Sequence, residues 1–130
     1  MIQGFGRILI VDDEPSLLKM LDAYLSRLGY SVGTASTTEE AWSNIAGAPC
    51  EYALVVLDAS MQGLGMHDLA ARILSASPIP RVLVASGYPV DVTSLEATAP
   101  GRVAFLHKPF TPHMLAEEVR RMLAPQEEGL

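Results

Sequence analysis

The chain has 130 residues, with nine basic and fifteen acidic side chains and a formal net charge of −6. This length suits one domain, and a hydrophobic fraction of 49% against 18% charged residues supplies enough apolar surface for a core, which excludes wholesale disorder. The acidic balance argues against a general grip on nucleic acid, because neutralising phosphates requires clustered Lys and Arg. The single cysteine, Cys50, excludes an internal disulfide and a cysteine-based metal cluster.

Hydropathy along the chain indicates neither a membrane segment nor a secretory signal. No run approaches the roughly 18 apolar residues of a transmembrane helix. Residues 1–6 lack a basic region followed by a long apolar run. We therefore expect a cytoplasmic domain that contacts no membrane and binds no nucleic acid directly.

Runs of apolar and β-branched residues predict strands. They cover residues 7–11, 31–35, 53–57, 81–85 and 103–106, of which the run at 31–35 is the weakest. The runs at 8–11 and 54–57 are apolar on consecutive positions, a pattern typical of strands covered on both faces. These strands are therefore expected to belong to a parallel sheet.

Helical patterns follow the strands. The first begins at Pro15, a residue favoured in the first turn, and ends at Gly29. Its predicted buried stripe consists of Leu17, Leu18, Leu21, Leu25 and Leu28. Thr37 and Glu40 have the spacing of a capping box that opens the second helix. The remaining helices are predicted at residues 67–75, at residues 90–98 and from residue 111 onward.

A strand–helix order repeated five times predicts a parallel sheet with right-handed crossovers and helices on both faces. Ligands of such sheets bind at the carboxyl ends of the strands. Polar residues directly follow four of the predicted strands: Asp12, Asp13 and Glu14 after the first, Asp58 after the third, Ser86 after the fourth, and His107 and Lys108 after the fifth.

The side chains at these strand ends favour phosphoryl chemistry beside a metal. Neighbouring carboxylates repel one another unless a cation joins them, and an oxygen ligand set favours Mg²⁺ over zinc. Lys108 offers a compact positive charge for a phosphate, and Ser86 offers a hydrogen-bond donor. A carboxylate beside the metal can itself act as a nucleophile and form an aspartyl-phosphate.

Four fragments stand at the strand ends in order: Ile8-Leu9-Ile10-Val11-Asp12-Asp13-Glu14-Pro15, Leu57-Asp58, Ala85-Ser86-Gly87 and Lys108-Pro109-Phe110. With them, the chain resembles the receiver domain of two-component response regulators, such as chemotaxis regulators, from about Arg7 to Leu123. The resemblance implies a doubly wound, flavodoxin-like α/β fold whose five parallel strands have the order 2-1-3-4-5. It also implies a receiver domain at residues 7–124, between an N-terminal extension (1–6) and a polar C-terminal tail (125–130).

The resemblance implies a role for each acidic residue. Asp58 would accept a phosphoryl group from the phosphohistidine of a sensor histidine kinase or a histidine phosphotransfer protein. Asp13 and Asp58 would bind Mg²⁺ directly, and Asp12 largely through water. The backbone carbonyl of Ser60 would be a third protein ligand of the metal.

The resemblance also implies a switch. Ser86 and Lys108 would contact the phosphoryl oxygens, and the Lys108–Pro109 peptide is expected to be cis. The added charge would pull on Ser86, and the aromatic residue Phe105 would follow it inward. In the family the responding surface is commonly the fourth helix, the fifth strand and the fifth helix, through which we also expect a homodimer.

The chain departs from the family pattern at several positions. Phe105 stands where tyrosine is frequent, so its ring lacks a hydroxyl that could form a hydrogen bond. Gln62 and Met66 alter the loop after the acceptor. We predict that Tyr88 and Ser60 tune the access of water to the site, and therefore the lifetime of the phosphoryl group.

The three histidines, His67, His107 and His113, are scattered and have no matching carboxylate spacing. They are therefore interpreted as structural or surface residues.

The predicted function is that of a signalling domain, not of an enzyme with an external substrate: the domain would assist only its own phosphorylation and dephosphorylation. It would be either a single-domain regulator or the receiver of a hybrid sensor kinase. The alternative is a receiver-like docking or dimerisation module that does not depend on phosphorylation. An aspartate-nucleophile phosphatase is disfavoured because such enzymes typically have a second aspartate at the position of Ser60. A flavin-binding domain of the same fold is disfavoured because Asp12 and Asp13 would repel the phosphate of the flavin.

Overall fold

A computed structural model of the protein describes residues 7–46, 52–59, 65–78, 80–87 and 89–123, without the side chain of residue 66. Strands and helices alternate throughout this part of the chain. The strands are β1 (Arg7–Val11), β2 (Ser31–Ala35), β3 (Tyr52–Asp58), β4 (Arg81–Ser86) and β5 (Val103–His107). The helices are α1 (Pro15–Arg27), α2 (Thr38–Ala46), α3 (Met66–Ala76), α4 (Thr93–Thr98) and α5 (Pro112–Leu123).

The strands form one parallel sheet in the order β2-β1-β3-β4-β5. The predicted doubly wound, flavodoxin-like α/β fold is therefore confirmed, including its strand order. The proposed N-terminal extension (1–6) and polar tail (125–130) lie outside the described residues. None of the helices in the described ranges is long and apolar enough to cross a bilayer.

The helices cover both faces of the sheet and bury two apolar clusters. One face packs α1 and α5 against side chains of the central strands, including Leu21, Leu54 and Leu115. The other packs α2, α3 and α4, including Ile45, Ile73 and Leu95. Because β1, β3 and β4 are covered on both sides, their side chains are almost all buried, which explains the continuous apolar runs in the sequence.

The prediction for α1 was correct at both ends but wrong at one position of its stripe. Pro15 is the first helical residue, and Gly29 adopts a positive φ of 103° just beyond the helix. Leu18, Leu21 and Leu25 are buried, whereas Leu28 is 49% exposed. Leu28 is the C-cap residue, so the chain leaves the helix before the stripe reaches another turn.

Side chains form hydrogen bonds at the starts of α2 and α4. Thr37 Oγ1 accepts a hydrogen bond from the backbone N–H of Glu40 at 2.9 Å, as the capping box predicts, although the carboxylate of Glu40 accepts from the N–H of Ser36 instead of Thr37. At the start of α4, Asp91 Oδ1 accepts from the N–H of Thr93 at 2.9 Å. This contact explains why α4 begins at Thr93, three residues later than predicted.

The edge of the sheet opposite the predicted site contains a guanidinium clamp. Arg102, in the loop between α4 and β5, donates hydrogen bonds to the backbone carbonyls of Leu74, Ser77 and Pro80. The end of α3 and the start of β4 are thereby held to the start of β5. Burial lowers the pKa of Arg102 from its ordinary value, and the nearby charge of Arg81 adds to this effect.

Close packing between β2 and the side chain of Tyr52 requires a glycine. Gly33 of β2 lies beneath the buried ring of Tyr52, which also has the guanidinium of Arg7 4.9 Å from its centroid. A Cβ atom at Gly33 would overlap the Tyr52 hydroxyl and lie 3.2 Å from its Cζ. The absence of a side chain at this position therefore allows the tyrosine ring to cover β2.

Candidate functional site

The predicted acidic residues stand at the carboxyl edge of the sheet, where β1 and β3 end. Asp12 follows the last residue of β1, and Asp58 is the last residue of β3. Both are buried, with 5% of their surface exposed. Backbone hydrogen bonds to neighbouring strands, from the N–H of Asp12 to Ala35 and from the N–H of Ala59 to Ala85, keep the two segments within the sheet at this edge.

Three carboxylates converge at this point. Asp12, Asp13 and Asp58 each present an oxygen, and these oxygens lie within 4.8 Å of one another. Asp12 and Asp58 are buried, whereas Asp13 is exposed to solvent. The cluster is therefore open on one side and enclosed by the sheet on the other.

The ammonium group of Lys108 joins the cluster from the end of β5. Its Nζ lies 3.2 Å from Asp58 Oδ1 and 3.7 Å from Asp12 Oδ2. The Lys108 side chain is 27% exposed, so it contacts the buried carboxylates while part of the side chain stays accessible to solvent. The convergence of the strand ends that the sequence predicts is thus present in the structure.

The carboxyl group of Asp12 is in an unfavourable electrostatic environment. Burial raises its pKa above the ordinary value, and the charges of Asp58 and Asp13 contribute in the same direction. The backbone N–H of Glu14, which donates to Asp12 Oδ1 at 2.9 Å, and the charge of Lys108 partly oppose the rise. In this cluster, three carboxylates lie beside the single ammonium of Lys108.

The donor set fits a hard divalent cation. Carboxylate oxygens are the ligands that Mg²⁺ prefers, and the ion commonly binds through one or two carboxylates while retaining several waters. Asp13 and Asp58 offer one exposed and one buried oxygen, and Asp12 lies beside them. The excess negative charge at Asp12 is the electrostatic condition that such a cation would relieve.

Ser86 lies at the end of β4, next to the strand that carries Asp58. It is buried, with 1% of its surface exposed, and its backbone carbonyl accepts a hydrogen bond from the N–H of Lys108 at 2.7 Å. The segments that carry the predicted hydroxyl and the predicted ammonium are therefore fastened to each other. The Lys108–Pro109 peptide that follows is cis, as expected.

The aromatic residue of the predicted switch lies on the edge strand β5. Phe105 is half-buried against the cluster formed by α2, α3 and α4. Its ring meets the ring of His107 edge to face, with centroids 6.2 Å apart and planes at 81°. The sequence interpretation treated His107 only as a structural or surface residue. A spacing of two residues within a strand was the available signal, because it places both rings on one face.

Two further residues belong to the predicted site. Ser60, the proposed backbone ligand, and Tyr88, the proposed gate for water, both lie outside the described residues.

An open groove adjoins the site on the side of α1. It has a volume of about 480 Å³ and is lined by Glu14, Leu17, Gly87, Lys108, Pro109 and Phe110. The lining of the groove therefore combines the apolar side chains of Leu17 and Phe110 with Lys108, which contacts the buried carboxylates.

Comparison with known proteins agrees with this arrangement. The chain is 35% identical over 117 residues to the DNA-binding transcriptional regulator NtrC of Rhizobium meliloti (strain 1021), covering 90% of this chain and 24% of that protein. It is 38% identical over 120 residues to the probable transcriptional regulator ycf27 of Pyropia yezoensis, covering 90% of this chain and 47% of that protein. The chain thus spans between about a quarter and a half of these relatives.

Solved structures are similar over nearly the whole chain. A receiver domain protein (CheY-like) from Methanospirillum hungatei JF-1 has a TM-score of 0.78 and 28% identity, covering 91% of this chain and 93% of its own. The response regulator protein TrrA from Thermotoga maritima, solved in complex with Mg(2+)-BeF, has a TM-score of 0.72 and 29% identity, covering 90% and 98%. The profile of the response regulator receiver domain matches residues 8–120. With the sheet order and the acidic cluster at its carboxyl edge, this match shows that the chain belongs to the response regulator receiver domain family.

Proposed function

We propose that the domain accepts a phosphoryl group on Asp58 and uses this modification to alter its surface. One observation carries the proposal: the ammonium of Lys108 lies 3.2 Å from Asp58 Oδ1 within a cluster of three carboxylates. A carboxylate fixed beside a positive charge at the carboxyl edge of the sheet is held in position to attack an incoming phosphoryl group.

The transfer is a nucleophilic substitution at phosphorus. A carboxylate oxygen of Asp58 attacks the phosphorus of a partner's phosphohistidine; a P–O bond forms, the P–N bond breaks, and the imidazole leaves with the electron pair. Lys108 neutralises charge on the phosphoryl oxygens, and the hydroxyl of Ser86 donates a hydrogen bond to one of them. Attack by water later releases inorganic phosphate and restores the carboxylate. The domain would therefore assist its own chemistry and act on no external substrate.

The acidic cluster supports Mg²⁺ as the cofactor. Asp13 and Asp58 would hold the ion, with Asp12 beside them and the backbone of Ser60 as a further ligand. When bound, Mg²⁺ supplies positive charge that offsets both the carboxylates and the transferred group. The complex of the related protein TrrA with Mg(2+)-BeF supports this assignment, because fluoroberyllate resembles a phosphoryl group in shape and charge.

The expected phosphodonor is a sensor histidine kinase or a histidine phosphotransfer protein. The groove beside Lys108 supports such a partner, because it offers apolar contact through Leu17 and Phe110 next to the reactive carboxylate. After phosphorylation, Ser86 and Phe105 would change position and alter the surface formed by α4, β5 and α5, through which we propose a homodimer.

Labelling with acetyl phosphate tests the acceptor. Wild-type protein with Mg²⁺ should acquire one phosphoryl group, visible by intact mass spectrometry or by phosphate-affinity electrophoresis, and Asp58→Asn should reduce the signal to background. Asp68→Asn is the matched control, because Asp68 is an exposed aspartate of α3. Labelling of Asp58→Asn at the wild-type level would refute the assignment. Failure of the wild type to label would favour a docking module that does not depend on phosphorylation.

A further inference from the structure

We propose that His107 is a positioning residue that couples Ser86 to the ring of Phe105. This inference rests on the proposed function, because it concerns how the state of the phosphorylated site reaches the α4–β5–α5 surface. It assigns a role to a side chain that no part of the phosphotransfer chemistry uses.

The register of the sheet places His107 between the other two residues. Ser86 of β4 pairs with His107 of β5, and Val84 pairs with Phe105. Because side chains alternate along a strand, Phe105 and His107 share one face of the sheet, and each shares that face with its partner on β4. His107 is thus the cross-strand neighbour of Ser86 and the next residue after Phe105 on the same face.

The other neighbour of Phe105 on this face and strand leads away from the site. Val103 pairs with Val82, at the opposite end of the strands. Along β5, a displacement that passes from Ser86 to its cross-strand partner therefore meets His107 before it meets Phe105. The backbone strengthens this connection, because the N–H of Lys108, directly after His107, donates to the carbonyl of Ser86 at 2.7 Å.

The ring contact specifies how His107 acts on Phe105. The two rings meet edge to face at 6.2 Å and 81°, the arrangement that aromatic pairs prefer over direct stacking. Phenylalanine has no hydroxyl, so a hydrogen bond cannot orient this side chain. The edge-to-face contact with the imidazole gives the ring a directional partner, while the apolar cluster beneath Phe105 packs against the ring without directional preference.

The exposure of the two rings allows the contact between them to change without disturbing the core. Phe105 is half-buried, whereas His107 is exposed. An inward movement of Phe105 would therefore need little repacking of His107, and an altered position of His107 would leave the core of the sheet intact. Substitution of His107 should consequently change the response of Phe105 without unfolding the domain.

The test follows Phe105 by fluorine NMR. The protein is labelled with 4-fluorophenylalanine, and the Phe105 resonance is assigned as the signal that Phe105→Leu removes. Beryllium fluoride is then added with Mg²⁺ as the phosphoryl analogue. In the wild type we expect the resonance to move, and in His107→Ala we expect at least a two-fold smaller movement. His107→Phe, which preserves an aromatic edge, should restore most of the response.

Two further variants distinguish the effect of the ring contact from the effect of side-chain volume and from the loss of an exposed histidine. His107→Leu fills similar space without an aromatic ring and should behave like His107→Ala. His113→Ala, at an exposed histidine of α5, should behave like the wild type. A full response in His107→Ala or in His107→Leu would overturn the inference, as would a loss of response in His107→Phe equal to that in His107→Ala.

Acetyl phosphate labelling of the same samples distinguishes a failure of the coupling through His107 from a failure of the proposed function. If the wild type is labelled at Asp58 and its Phe105 signal does not respond to beryllium fluoride, the coupling is refuted while Asp58 stands as the phosphoryl acceptor. If the wild type is not labelled at all, the proposed function fails and the coupling fails with it.

Discussion

Asp58 Oδ1 lies 3.2 Å from Lys108 Nζ, although the two residues are fifty positions apart in the chain. The parallel sheet produces this relationship, because β3 and β5 both end at its carboxyl edge. Within the proposed reaction, the ammonium is the protein's own positive charge beside the acceptor. Its removal should therefore slow phosphotransfer without removing the nucleophile.

We predict that Lys108→Ala reduces the rate of labelling by acetyl phosphate by about 10²-fold, the effect typical of losing one preorganised electrostatic contact. Lys19→Ala, at an exposed lysine of α1, is the control for net charge. The measurement is the initial rate of labelling at saturating Mg²⁺. An unchanged rate in Lys108→Ala would show that the ammonium has no part in the transfer.

The elevated pKa of Asp12 predicts opposite effects of one substitution with and without metal. A buried carboxylate whose folded pKa is raised lowers the free energy of unfolding as pH rises above its ordinary pKa of 3.8, and this penalty is complete once pH exceeds the folded pKa. In EDTA at pH 7, Asp12→Asn should therefore have a higher free energy of unfolding than the wild type, while its amide can still accept from the N–H of Glu14.

With Mg²⁺, the difference in free energy of unfolding between Asp12→Asn and the wild type should become smaller or change sign. A ligand at about one hundred times its Kd adds about 2.7 kcal/mol to the free energy of unfolding, and Asp12→Asn should gain less than the wild type because it binds the ion more weakly. Urea unfolding in EDTA and in Mg²⁺ measures both effects, with Asp68→Asn as the control. A stabilisation of Asp12→Asn that is equal in both buffers would contradict the prediction.

The close approach of Tyr52 to β2 predicts a steric coupling. Gly33→Ala should lower the free energy of unfolding by about 1–3 kcal/mol, because its Cβ overlaps the hydroxyl of a buried, rigid ring. Tyr52→Phe removes that hydroxyl and should recover part of the loss when combined with Gly33→Ala. A double-mutant cycle from urea unfolding measures the coupling, and strict additivity of the two substitutions would count against the steric explanation.

Asp91 predicts a pH dependence of the opposite sign to that of Asp12. Hydrogen bonds from the side chain and the backbone N–H of Thr93 lower the pKa of Asp91 below its ordinary value of 3.8. Its contribution to stability is therefore present above pH 3.8 and is lost as pH falls through the lower folded pKa. Asp91→Ala should accordingly be less stable than the wild type at neutral pH.

The difference between Asp91→Ala and the wild type should shrink as the solution is acidified below pH 3.8. Asp91→Asn keeps an acceptor for the N–H of Thr93 but does not titrate, so its stability should lack this component of the pH profile. Urea unfolding between neutral and acidic pH provides the comparison. A gap between wild type and Asp91→Ala that stays constant across this range would exclude the proposed linkage.

The parts of the molecule that the sequence predicts are those with a local signal. Consecutive apolar residues identify strands that are buried on both faces, and polar residues directly after them identify the edge where Asp12, Asp58 and Lys108 meet. Gly29 and Pro15 likewise mark the ends of α1 through their backbone preferences. These signals are sufficient for the order of elements and for the acidic cluster.

Long-range hydrogen bonds between side chains and distant parts of the chain have no such signal. Arg102 belongs to no periodic pattern, yet its guanidinium reaches three carbonyls, up to 28 positions distant in the chain. The hydrogen bond between His67 Nε2 and Ser94 Oγ, at 2.9 Å, joins α3 to α4 in the same way. Neither contact follows from composition or periodicity, because each depends on how two helices are placed on the sheet.

The division of the interior by the sheet also bears on how the domain tolerates change. Leu25 of α1 and Ile73 of α3 belong to separate apolar clusters and share no cluster partner. Losses of stability at such positions should sum, since distant sites without common neighbours behave independently. Substitutions in one layer of helices should therefore affect stability only through that layer's own cluster. The residues of the other cluster need not change in response.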